Sequence, residues 1–87
     1  MTARVLKLSS RGCYVGTVSP FLTETELLLR IRYGCSTCHL AGKVIYTHLG
    51  RGMGVLFGDI SPVHRVTLDG WLEELARKLA DRGALAV

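Results

Sequence analysis

Between Gly42 and Pro62 the chain reads GKVIYTHLGRGMGVLFGDISP, and this stretch leaves few folds open. Gly42 to Ile45 begins a strand with β-branched residues, and Leu49-Gly50-Arg51-Gly52 turns the chain back. Met53, Val55 and Phe57 then fall on one face by the two-residue period of a strand, while Gly54 and Gly58 leave the opposite face bare. Glycine inside a strand marks close backbone approach or strong curvature, as at a barrel corner. Ser61-Pro62 closes the stretch as a helix entry, with Ser61 at the N-cap and Pro62 at the first helical position.

The rest of the chain supplies partners for these strands. Residues 3–8 form a strand in which Ala3, Val5 and Lys7 share one side and Arg4, Leu6 and Leu8 the other. Ser9 to Gly12 is a turn cluster, and Cys13 to Val18 a second strand that Ser19-Pro20 breaks. Residues 26–33 alternate cleanly: Leu27, Leu29, Ile31 and Tyr33 face one way, Arg30 and Arg32 the other. Gly34 to Cys38 forms a hairpin tip, followed by a strand from Leu40 to His48. Short strands at this spacing predict an antiparallel barrel rather than βαβ units.

A helix follows from about residue 62 to 82, with Gly83 as its stop. Leu68, Leu72, Leu75 and Leu79 line one face, and Trp71 and Ala76 widen it. Arg65 with Asp69, Glu73 with Arg77, and Glu74 with Lys78 are i, i+4 pairs on the wet side. Gly70 costs such a helix about 1 kcal/mol against alanine, and a close approach by Trp71 or a strand would explain it.

Eighty-seven residues, 48% of them apolar, make one small domain with a single core. No apolar run approaches the ~18 residues of a membrane span, and the N-terminus lacks signal-peptide order, so the expected setting is the cytoplasm. The net charge of +4 favours anionic partners. Three cysteines without a secretion signal do not suggest a disulfide framework.

The order G-x-V, G-x-G-V-x-F, S-P and amphipathic helix resembles the C-terminal half of a PilZ domain. The resemblance continues upstream, covering about residues 3–80. The family carries [D/N]-x-S-x-x-G before a strand, and here Lys7-Leu8-Ser9-Ser10-Arg11-Gly12 occupies that place. Ser9 and Gly12 match, while Lys7 stands where the family has an acidic or amide residue. The family's R-x-x-x-R motif has no counterpart, since Arg4 is the one arginine ahead of Lys7. The resemblance implies a small, mainly β fold: a five- to six-stranded antiparallel barrel, strands over about 3–58, with one C-terminal α-helix. It further implies a regulatory binding module of bacterial cyclic di-GMP signalling, acting through the nucleotide or through protein contacts.

On that resemblance Ser9, Arg11 and Gly12 contact the nucleotide, with Arg4 and Lys7 near its phosphates. Lysine offers charge but cannot accept hydrogen bonds from a base edge as Asp or Asn can. The alternative is a degenerate domain that has lost the ligand and serves protein interaction alone. A third reading is a basic barrel that binds nucleic acid through Arg30 and Arg32. Against that, Tyr33 points to the opposite face, and base stacking needs aromatics on the binding side.

Cys35-Ser-Thr-Cys38-His39 matches the C-x-x-C-H pattern of covalent haem attachment. That chemistry goes with export, which the chain does not signal. Zinc would need a fourth ligand beside Cys35, Cys38 and His39, from Cys13 or His48. A redox dithiol would need a helix N-terminus to lower a thiol pKa, and none is predicted there. The expectation is therefore turn cysteines, exposed or half-packed, holding neither haem nor metal. His64 is expected at the surface, and no catalytic constellation or cofactor is expected anywhere.

The family's barrel has a further strand ahead of the matched ones. A barrel without it exposes an edge of unpaired N–H and C=O groups, a template for association. A homodimer or docking partner covering residues 3–8 is therefore expected.

Overall fold

The computed structural model describes residues 2–81, with side-chain surroundings through Lys78. It is mainly β: five antiparallel strands in a curled half-barrel sheet, plus one C-terminal helix. The strands are β1 (Arg4–Leu8), β2 (Gly12–Gly16), β3 (Glu26–Tyr33), β4 (Ser36–His48) and β5 (Gly52–Phe57), followed by α1 (Pro62–Asp81). Sheet order is β1-β2-β5-β4-β3.

The alternation in β3 is realised as predicted. Leu27, Leu29, Ile31 and Tyr33 turn inward, and Arg30, Arg32 and Leu28 face solvent. Met53, Val55 and Phe57 of β5 are likewise buried, and they meet Cys13, Val15, Leu40 and Val44 in one core. Leu68 and Trp71 of α1 complete it, Trp71 edge-on to Tyr33 with ring centroids 5.9 Å apart. Burial of these apolar side chains is the main stabilising term, worth about 1.5–3 kcal/mol for each large one.

Two bulges change what simple alternation predicts. In β1 the register shifts between Val5 and Lys7. Val5 and Leu8 therefore lie opposite the inward Val15 and Cys13, while Arg4 and Lys7 share the outer face. The expected grouping of Val5 with Lys7 is thus wrong, because one extra residue reverses parity. In β4 the second bulge lies between Val44 and Tyr46.

The β3–β4 hairpin is tighter than expected. Gly34 and Cys35 alone make the turn, Gly34 with φ 61, the positive sign that tight two-residue turns demand. Strand β4 therefore starts at Ser36, and Cys38 and His39 belong to a strand rather than to a tip. Strand β2 ends at Gly16, short of the expected Val18.

Helix α1 starts at Pro62 as predicted, and Arg65 N–H donates to the Ser61 carbonyl at 2.8 Å. Ala76 is exposed and does not widen the apolar face. No atom crowds Gly70, so no close approach explains it. The environment of Leu79, the helix end near residue 82 and the Gly83 stop lie outside the described residues.

The sheet does not close. Strands β1 and β3 are its two edges, and a groove of about 830 Å³ opens between them. Val5, Leu27 and Leu29 line its walls, with Met53 and Trp71 deeper in. No helix of the described residues is long and apolar enough to cross a membrane.

Candidate functional site

The turn between β1 and β2 is built by Ser9. Its Oγ accepts N–H bonds from Arg11 at 3.3 Å and Gly12 at 3.2 Å, and its hydroxyl lies 3.1 Å from the Gly12 carbonyl as donor. Ser9 N–H also donates to that carbonyl at 2.9 Å. A short hydroxyl side chain that bonds its own backbone is the usual way to hold such a turn. Gly12 is required by packing: a Cβ there would collide with the Val55 carbonyl of β5. The two matched motif residues thus shape the turn itself.

Three cations lie along β1 and this turn, with Arg4 at the far end of the strand. Arg4 and Lys7 project from the outer face of β1, and Arg11 is exposed in the turn. Among the described ion pairs none of the three has a carboxylate partner. The turn is also tied to the helix, since Arg65 Nη1 donates to the Ser10 carbonyl at 3.1 Å.

The C-x-x-C-H residues diverge. Cys35 is exposed at the hairpin tip, Cys38 is fully buried, and His39 points outward from the same strand. Cys38 is therefore a core residue, which corrects the expectation of a turn thiol. Its Sγ donates to the His64 carbonyl at 3.4 Å. Burial raises its pKa, with the nearby Arg65 cation opposing. His64 is no simple surface residue either. It is half-buried over β4, and its Nδ1 accepts the His39 N–H at 3.3 Å. Cys13 faces the core, with its pKa pushed up to about 11 by burial, while His48 lies on the outer face. Among the described residues no three His, Cys, Asp or Glu side chains gather to hold a metal ion.

Arg30 and Arg32 are exposed on β3, Arg30 opposite His39 and Arg32 opposite Thr37. Tyr33 is turned inward, where its hydroxyl accepts from Lys78 Nζ at 2.9 Å and, with that bond as the leading cause, raises the lysine pKa.

Sequence reasoning missed the aromatic group on the outer face. Tyr14, Tyr46 and His48 cluster there, Tyr14 and Tyr46 stacked at 6.1 Å and 29°, and His48 5.3 Å from Tyr46. The Tyr14 hydroxyl and His48 Nδ1 are hydrogen-bonded at 3.0 Å. Gly52 and Gly54 lie beneath these rings; the Tyr46 ring occupies the space a Cβ on Gly54 would need. The available signal was the pair of bare glycines in β5, which ask for large neighbours to cover them.

No protein-family model, curated protein or solved structure matches this chain.

Proposed function

We propose that this chain is a PilZ-like regulatory binding module of bacterial cyclic di-GMP signalling, working in the cytoplasm and without catalysis of its own. The observation that carries the proposal is the S-x-x-G turn at the start of β2, held by Ser9, with Arg11 exposed in it, Lys7 just ahead of it and Arg4 further along β1. A cyclic dinucleotide brings two phosphates, which guanidinium groups recognise by paired, charge-assisted hydrogen bonds. Arg11 is the arginine of the turn, and Arg4 and Lys7 add charge along β1. Lys7, standing in place of Asp or Asn, cannot accept hydrogen bonds from a base edge, so the phosphates are the main handle at this turn. The bond from Arg65 to Ser10 gives a route from ligand to helix, as regulation requires. Calorimetric titration with cyclic di-GMP tests this. Binding weakened by Arg11→Ala and by Ser9→Ala is expected, and no heat at high micromolar ligand refutes it.

A second reading keeps the regulatory role and drops the nucleotide. It is favoured by the two unpaired strand edges, β1 and β3, flanking an apolar groove. Such edges invite pairing, and a homodimer or a protein partner would cover them. Light scattering at tens of micromolar separates the cases, and a clean monomer argues against the homodimer.

A further inference from the structure

Two adjacent rows of residues cross the outer face of the sheet. The register aligns Lys7 with Tyr14, Tyr14 with Gly54, and Gly54 with Tyr46. The next row runs Arg4, Gly16, Gly52, His48. Each row thus starts with a cation on the edge strand, passes over glycine, and ends in a ring on β4. Neither row contains a carboxylate.

The glycines decide the shape of this face. With no side chain on Gly54, the Tyr46 ring lies down over the backbone instead of standing up from it. Tyr46 is nonetheless 44% exposed, so part of its ring is open to solvent. Tyr14 leans over Gly52 in the same way, its Cε2 2.9 Å from where a Cβ would stand. Covering glycines accounts for the rings leaning over the sheet. It does not account for two cations entering the same rows. An exposed pair of tyrosine rings inclined by 29°, with cations at one end of their rows, suits a planar, electron-rich ring that carries negative charge on a tail.

We propose that this face is a stacking platform for a purine nucleotide, with the base on Tyr46 and Tyr14 and the phosphate toward Lys7 and Arg4. The assignment rests on the nucleotide-binding reading of the chain and adds the residues that hold the base. Adjacent strands lie about 4.8 Å apart, so Tyr14 is one strand from Lys7 and Tyr46 three. A base on these rings can place its sugar-phosphate on the cationic side, where Lys7 and Arg4 would meet it. The S-x-x-G turn lies at the same edge, next along β1.

The test is titration of the full chain with cyclic di-GMP, GMP, guanosine and inorganic phosphate, followed by NMR shifts. Wild type is compared with Tyr46→Ala, Tyr46→Leu, Lys7→Gln and Ser9→Ala. Tyr46→Leu still covers Gly54 but has no π face, so it separates stacking from folding; Trp71 emission reports the fold in each variant. Binding of GMP and of cyclic di-GMP at one site, each about tenfold weaker in Tyr46→Leu, is the expected result. Lys7→Gln should weaken GMP binding and leave guanosine binding unchanged. If cyclic di-GMP binds and weakens with Ser9→Ala but not with Tyr46→Leu, the platform is refuted while the proposed function stands. If GMP binds through Tyr46 and cyclic di-GMP does not bind at all, the platform stands and the proposed function falls. Phosphate binding without binding of GMP or guanosine overturns the proposal.

Discussion

Arg65 Nη1 reaches the Ser10 carbonyl at 3.1 Å, so one guanidinium joins the helix to the turn that opens β2. The same group lies 3.6 Å from Asp69 Oδ1 along the helix. Helix α1 is also seated through Leu68 and Trp71 and through hydrogen bonds joining His64 to β4 and Lys78 to β3, and Arg65 is the polar bond from α1 to the β1–β2 turn.

Replacing Arg65 by Met keeps the stem and removes the bond. Its side chain is 40% exposed, so water offsets much of the loss and the cost should be about 1 kcal/mol. Urea unfolding followed by Trp71 emission measures it. A cost above about 3 kcal/mol would show that the arginine supports packing instead.

Gly12→Ala should destabilise more than Gly54→Ala. A Cβ at Gly12 meets the Val55 carbonyl, which the β2–β5 ladder fixes, while a Cβ at Gly54 meets the Tyr46 ring, which can swing outward. Overpacking of this kind costs about 1–3 kcal/mol, with Gly12 at the upper end. Adding Tyr46→Ala should abolish most of the Gly54→Ala cost, a coupling read from a double-mutant cycle. Additive effects would mean that the ring does not cover the glycine.

Stability should fall as pH rises from about 9 toward about 11. Burial raises the Cys13 pKa from 9.0 to about 11. Above pH 9 the unfolded chain releases the thiol proton while the folded chain retains it. The contribution is thus whole below 9 and is lost as pH climbs through the folded value. Cys38 shifts the same way and adds to the slope. Cys13→Ala should flatten the profile over this window, and an unchanged slope in that variant would discount the thiol.

Alkylation should separate the three cysteines. Cys35 is exposed, while Cys13 and Cys38 are buried. Brief treatment with iodoacetamide near neutral pH, read by peptide mass spectrometry, should label Cys35 alone. Equal labelling of Cys38 would contradict its place in the core.

The inward face of β3, the helix start at Pro62 and the glycine turns follow from local pattern alone. Alternation and backbone dihedral demands act between near neighbours, so Leu27 to Tyr33, Ser61-Pro62 and Gly34 can be read without the fold. The turn cluster at Ser9 to Gly12 was legible for the same reason: Ser9 bonds residues two and three ahead of it.

Other features depended on which strand lies beside which. A bulge at Leu6 moved Lys7 from the side of Val5 to the side of Arg4, and no local pattern announces a bulge. A hairpin turn of only Gly34 and Cys35 carried Cys38 into β4 and into the core, turning a metal-like motif into packing. The meeting of Tyr14 with Tyr46 and His48 needed β5 inserted between β2 and β4, with two glycines at the crossing. Sequence by itself determined the number of strands, the inward faces of β3 and β5 and the C-terminal helix, because those choices cost or gain free energy within a few residues. The aromatic cluster, the open edges and the fate of the cysteines were decided by tertiary structure, because register pairs residues more than thirty positions apart, as Tyr14 and Tyr46 are.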